Sequence, residues 1–260
     1  MTIEITGTLS GAHDRHTPES LAKSFSHAWF VAPKGVFEGR LDEMPGFVAT
    51  ALGTGELFPI VLFAHGSSGI GEPVKAFARY VASLGVGMVI PNSFVLEDRL
   101  AYTSPVARKD YERVHAMRSA ELAWAAAHLD EIPGWDGRHV VAGTSEGGVA
   151  AARFTAPDGV PESGRMIFSW SCEDNYHVEA HRTAIPDDLP VLCVMSAADK
   201  FFSRANPWLD NPGAVGNPSV TLAKNKHAAI VLIPGAPHTL FALPQTESAT
   251  LGFLARVFEL

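Results

Sequence analysis

Two cysteines in 260 residues, Cys172 and Cys193, are too few for a disulfide framework, which excludes the stapled small-domain classes. Positive charge is in deficit: 20 Lys and Arg face 28 Asp and Glu, a formal charge of −8 at pH 7. A chain of that sign carries no electrostatic footprint for nucleic acid or for an anionic membrane. No apolar run is long enough to span a bilayer. The first residues are acidic and polar where a secretory signal would be basic and then apolar. Repeats, low-complexity tracts and linkers are missing as well. What is present is an apolar fraction of 47% against 18% charged, the composition of a folded chain with an ample core. The expectation is a cytoplasmic protein with one domain over residues 1–260, an N-terminal edge at 1–58 and a core at 59–260. The charge fits a monomer or a homodimer, and the N-terminal stretch could be an added edge or an interface.

Short β-rich runs recur at 28–31, 59–64, 86–91, 139–142, 166–170, 191–195 and 229–233. From residue 59 onward most are continuously apolar, as expected of strands covered on both faces of a parallel sheet. Between them lie stretches rich in Ala, Leu, Glu and Arg at 73–84, 110–129, 148–155 and 247–258, which read as helices. Strand and helix in alternation predict an α/β fold with a mostly parallel central sheet and helices on both faces. The first fifty residues are shorter segments broken by Gly and Pro, expected to add an antiparallel edge. Two loop-like stretches, 98–106 and 203–219, follow predicted strands and so belong near the carboxyl ends of the sheet, where open α/β folds bind ligands.

The chemistry is concentrated at Gly143-Thr144-Ser145-Glu146-Gly147, between the strand at 139–142 and a small-residue helix. A G-x-S-x-G string at a sharp strand-to-helix turn holds its serine strained and exposed. Glycines at 143 and 147 remove Cβ atoms that so tight a turn would crowd. A serine nucleophile needs a base, and the base needs a group that fixes its tautomer. In chains with this elbow the order is Ser, acid, His. Downstream, an apolar strand ends at Asp199, and another strand's exit loop delivers His238. Glu173 and Asp174, after the preceding strand, are alternative positions for the acid, whereas His227 precedes its strand and falls at the wrong end of the sheet. The oxyanion that develops during attack needs donors. One is the backbone N–H of Glu146, and the other is expected from Ser67, in the His65-Gly66-Ser67-Ser68-Gly69 turn after the strand at 59–64.

These pieces resemble the α/β-hydrolase superfamily and, within it, the dienelactone hydrolase-like group. The resemblance runs from about residue 59 to the C-terminus. It rests on VLFAHGSSG at 61–69, GVGMVIPNS at 85–93, the elbow, Ala198-Asp199 and Pro237-His238. Position 145 is serine where the named enzyme of that group uses cysteine, and Asn92 follows Pro91 where relatives often have aspartate. The resemblance implies an α/β-hydrolase fold without a large cap domain, and ester or lactone hydrolysis with no cofactor and no metal.

The remaining candidates concern the pocket. The segment between Trp170 and Pro190 is too short for a cap, so loops should roof the site. Ser68, Trp170, Glu173, Phe201 and Phe202 are its expected lining, with Trp208 on the following loop. His13, His16 and His27 match no standard metal spacing, and His177 and His181, four apart, lack the third ligand a zinc pair needs. His177 and His181 read as pocket-rim or surface residues, and Arg204 as a solvated arginine. The expected activity is hydrolysis of small or medium esters, the partner being a small acyl substrate. The same triad could serve a peptide, thioester or carbon–carbon bond, and the fold could also be a binding scaffold without catalysis.

Overall fold

Period-two alternation in the apolar runs decides which side of the sheet each residue serves. The computed structural model of the protein describes residues 4–44, 57–157 and 159–260. Its strands are β1 (Thr8–Ser10), β2 (Trp29–Val31), β3 (Glu38–Arg40), β4 (Phe58–Ala64), β5 (Gly87–Ile90), β6 (Ala101–Thr103), β7 (Trp135–Thr144), β8 (Gly164–Phe168), β9 (Val191–Ser196) and β10 (Ala228–Ile233). Its α-helices are α1 (Pro18–Ser26), α2 (Glu72–Ser83), α3 (Arg108–Ala127), α4 (Glu146–Arg153) and α5 (Pro244–Phe258). The main sheet has the order β10-β9-β8-β7-β4-β5-β2-β3, parallel from β10 to β5. β2 and β3 extend it as the expected antiparallel edge. Residues 45–56, which belong to the same expected edge, lie outside the described residues.

Every residue of β4 is buried, because helices cover both faces. Ile60 and Leu62 share a core with Leu122 and Ala125 of α3 and Val149 of α4. Val61 and Phe63 point the other way, into a second core with Phe77 and Val81 of α2 and Phe253 of α5. α4 lies close to the sheet because its buried side is Val149, Ala150, Ala151 and Ala152.

The N-terminal region holds one element that the sequence did not suggest, α1. Pro18 occupies its first turn, and Thr17 and Ser20 exchange side-chain and backbone hydrogen bonds in a capping box. β1 then pairs with β6 in a separate two-stranded antiparallel sheet, with Leu9 opposite Tyr102. The stretch at 98–106 is therefore part strand, and it is anchored to the chain's beginning. Among the described residues no helix is long and apolar enough to cross a membrane, and no cap domain is inserted in the core.

Candidate active site

β7 ends at Thr144 and α4 starts at Glu146, which leaves Ser145 alone in the turn with φ 54° and ψ −118°. Such a conformation costs an L-residue about 1–3 kcal/mol and persists only where neighbours impose it. Here the Ser145 N–H is held by the Phe168 carbonyl at 2.9 Å, and the Ser145 carbonyl accepts from Val149 at 3.1 Å. The flanking glycines are obligatory. A Cβ on Gly143 would lie 2.1 Å from the Gly147 carbonyl oxygen, and one on Gly147 would lie 2.1 Å from that of Ala64. Backbone meets backbone at both places, so neither clash could be relieved by turning a side chain.

Asp199 follows β9 and His238 follows β10, both off the carboxyl ends of the sheet. His238 Nδ1 is 2.7 Å from Asp199 Oδ2. The loop carrying His238 is tied across β9 to the end of β8: Ser169 Oγ donates to the His238 carbonyl at 2.5 Å. Ser196 Oγ donates to Ala236 in the same loop at 2.7 Å. Phe168 thus holds Ser145 and its neighbour Ser169 holds His238. Nothing in the sequence marks Ser169, because a serine after a strand is an ordinary turn residue.

Burial of Asp199 works to raise its pKa. The His238 hydrogen bond and charge, with the N–H groups of Phe201 and Phe202 at 2.9 and 3.0 Å on Oδ1, outweigh that and hold the carboxyl below its usual value. Glu173 and Asp174 are not brought to His238. The Glu173 carboxylate accepts the N–H groups of Val215 and Gly216, each at 2.8 Å, and Asp174 accepts that of His181 at 2.6 Å. Glu173 is thereby the anchor of the 203–219 loop.

Ser145 and His238 line one cavity of about 530 Å³, together with Gly66, Ser67 and Ser68. The loop after β4 touches the elbow: a Cβ on Gly66 would meet Thr144 O at 3.4 Å and Ser145 Cβ at 3.6 Å. Glu146, as the first residue of α4, has a backbone N–H with no acceptor inside the helix. Phe201 and Phe202 are in the cavity wall. Phe201 stands edge-on to the His238 ring at 4.7 Å between centroids. Trp170 and Glu173 are a correction to the expected lining. Trp170 is wholly buried behind the wall, packed edge-to-face on Phe202 at 4.8 Å, and Glu173 is committed to its loop.

The wall contains residues that the sequence left unassigned, Tyr102, Tyr176 and Phe241 among them. His177 is a wall residue too, 3% exposed and not a surface histidine. Its ring lies 4.1 Å from that of Tyr111, and neither of its nitrogens has a hydrogen-bond partner among the described residues. Burial first, then the neighbouring His115, keep its pKa well below the usual value, so the ring is neutral. Burial and the nearby Glu146 carboxylate raise that of the Tyr102 phenol.

Beneath the elbow is a buried ion cluster of Arg99, Arg118, Glu121 and Glu146. His65 sits against it. Burial and then the Arg118 charge push the His65 pKa down to about 3. His16 bonds Ser20 at 2.9 Å and the Glu121 carboxylate of the same cluster at 2.7 Å.

The sequence matches no protein-family model and no curated protein. Solved structures match by shape. One of Est1E from Butyrivibrio proteoclasticus with ferulic acid bound has a TM-score of 0.57 at 13% identity, over 90% of this chain and 95% of that one. One of a putative dienelactone hydrolase from Klebsiella pneumoniae subsp. pneumoniae MGH 78578 has a TM-score of 0.56 at 16% identity, over 78% and 88%. TT1662 from Thermus thermophilus has a TM-score of 0.56 at 18% identity, over 78% and 90%. At these identities the likeness establishes the fold: the chain has an α/β-hydrolase fold.

Proposed function

We propose that this chain is a serine hydrolase that cleaves carboxylic esters, or lactones, through an acyl-enzyme on Ser145. One observation carries the reading: a strained, cavity-facing serine shares its cavity with a histidine whose Nδ1 is bound to a buried carboxylate at 2.7 Å. An ionised carboxylate only accepts hydrogen bonds, so Asp199 keeps the proton on Nδ1 of His238 and leaves Nε2 as the base. Ser145 Oγ attacks the ester carbonyl while Nε2 takes its proton. The tetrahedral oxyanion is met by the N–H groups of Ser67 and Glu146. Its collapse expels the alcohol, which takes the proton back from Nε2. Water activated by the same nitrogen then releases the acid and restores Ser145. Apart from the substrate and the hydrolytic water, every group in this sequence belongs to the chain itself.

The cavity supports the substrate class. Its volume is in the range of small-molecule sites, and its aromatic wall suits an uncharged acyl or alcohol group of small or medium size. Structures sharing the fold include ones named as esterases and dienelactone hydrolases, which agrees with ester chemistry. The test is incubation with a fluorophosphonate followed by intact-mass and peptide mapping, alongside turnover of a p-nitrophenyl ester chain-length series. The expected result is one adduct, on Ser145, and an activity that Ser145→Ala lowers by at least ~10³-fold without unfolding the protein. Folded protein with no adduct, or a Ser145→Ala variant of unchanged activity, overturns the reading.

A further inference from the structure

We propose that Arg118 is a positioning residue that clamps together the two chain segments whose N–H groups face the oxyanion, an inference that rests on the serine-hydrolase reading above. Arg118 lies on α3, behind the cavity wall and not in it, with a side chain 1% exposed. It touches both segments. Its Nη2 donates to the His65 carbonyl at 2.8 Å, and its Nε is in ion-pair contact with Glu146 Oε1 at 3.5 Å without a hydrogen bond. Nη1 is paired with the Glu121 carboxylate.

On the β4 side, the contact is relayed to a donor through a single peptide plane. His65 Nδ1–H donates to the Gly66 carbonyl at 2.7 Å, and Gly69 N–H reaches the same oxygen at 3.1 Å. The Gly66 carbonyl and the Ser67 N–H belong to one planar trans peptide, so pinning the oxygen sets the direction of the opposite N–H. The His65 ring can do this only as the Nδ1–H tautomer. That tautomer is enforced at Nε2, which accepts the Ser93 N–H at 3.2 Å and faces Arg118 Nη1 at 3.4 Å.

On the elbow side the Glu146 side chain is the handle. Arg99 Nη2 donates to Glu146 Oε1 at 3.0 Å, while Arg99 Nε donates to Ser93 Oγ at 2.7 Å. Ser93 Oγ in turn donates to Glu121 Oε1 at 2.6 Å, which closes the ring back to Arg118. Two arginines and two glutamates balance in charge, and all four are buried. Buried ion clusters add little stability over apolar packing of the same volume. What this one supplies is directional: the loop is hydrogen-bonded to Arg118 directly, and the helix N-terminus is tied back to it through Arg99, Ser93 and Glu121. Oxyanion donors need such fixing, since a displacement of about 1 Å can cost about 10²-fold in rate.

The experiment compares the full-length wild type with Arg118→Lys, which keeps the charge but cannot reach His65, Glu121 and Glu146 together. A charge-balanced double variant, Arg118→Met with Glu121→Gln, carries the test if the lysine variant does not fold. The readouts are kcat and KM on p-nitrophenyl butyrate, the pH–rate profile, and Ki for phenylboronic acid, which forms a tetrahedral adduct on a live serine. The expected result is kcat lower by about ten- to hundredfold and Ki higher by a similar factor. KM should stay within about threefold, with the pH profile unmoved. A folded variant with unchanged kcat and Ki overturns this proposal alone, as does a loss that follows a displaced pH profile. A wild type that neither labels with fluorophosphonate nor binds the boronate overturns the serine-hydrolase reading and this proposal with it.

Discussion

Nδ1 of His238 stands 2.7 Å from Oδ2 of Asp199, a carboxylate whose side chain has no exposed surface. The second oxygen of Asp199 is taken by two backbone N–H groups, so the acid cannot turn away. The two residues are 39 positions apart in sequence, and the strands they follow are adjacent in the sheet.

Asp199→Asn is expected to lower kcat by about 10⁴-fold with the fold retained, because an amide can present N–H to the ring and select the wrong tautomer. It also changes acid stability. The folded pKa of Asp199 is below its unfolded value of 3.8, so the carboxylate's stabilisation is complete above that pH. It is lost as pH falls through the folded value. Thermal melts from pH 7 to 3 should show the gap between wild type and variant narrowing below about pH 4.

Glu173→Ala separates an anchor from a catalytic acid. Removing the acceptor of the Val215 and Gly216 N–H groups should destabilise the protein by about 1–3 kcal/mol. It should also speed proteolytic nicking within residues 203–219. Trp208, on that loop, lines the cavity, so KM should rise while kcat and the pH profile hold. A collapse of kcat to the level of Asp199→Asn would instead make Glu173 the acid.

His139→Leu is expected to stabilise. The His139 side chain is buried in β7 with no hydrogen-bond partner for either ring nitrogen among the described residues. Replacing it by an apolar side chain of similar size should gain about 1–2 kcal/mol at pH 7. Burial and then Arg165 push its pKa down to about 4, so between pH 6.5 and 4 the unfolded chain takes up a proton that the folded one refuses. The advantage of the variant should therefore grow from pH 7 to pH 5 in scanning calorimetry. His65 and His115, pushed to about 3 and about 4, titrate in the same sense, so the wild type itself should melt at lower temperature as pH falls. A variant less stable than wild type at both pH values would refute the idea that these nitrogens are unpaired.

Much of the architecture was legible because its causes are local. An apolar run between turn signals reports burial on both faces inside the sheet, so β4, β7, β8 and β9 could be read directly, whereas β10 has the same kind of run but lies at the sheet's edge with only Ile233 buried. The turn at Gly143-Thr144-Ser145-Glu146-Gly147 was legible as a motif, but only Gly143 avoids a local clash, with Gly147 and Ala151; Gly147 makes room for Ala64 and His65 of the neighbouring strand's end. α1 escaped notice because it is only nine residues long and its capping box is made of common polar residues.

Other features could be decided only by the folded chain. Arg118, Glu121 and His115 sit on a helix where charge reads as a solvated face, yet α3 is packed on several sides and buries all three. Apart from the Arg118–Glu121 pair itself, their partners lie tens of residues away, at His16, His65, Ser93, Glu146 and His177. Trp170 and Phe202 looked equivalent as pocket aromatics. The structure puts one behind the other, because the strand exit at 168–170 turns inward with Ser169 at φ 52°. Burial periodicity and turn chemistry depend on neighbours in sequence, and so survive in a string of letters. Which charge meets which, and which ring faces the cavity, depend on distances between segments, and those exist only once the sheet has closed its register.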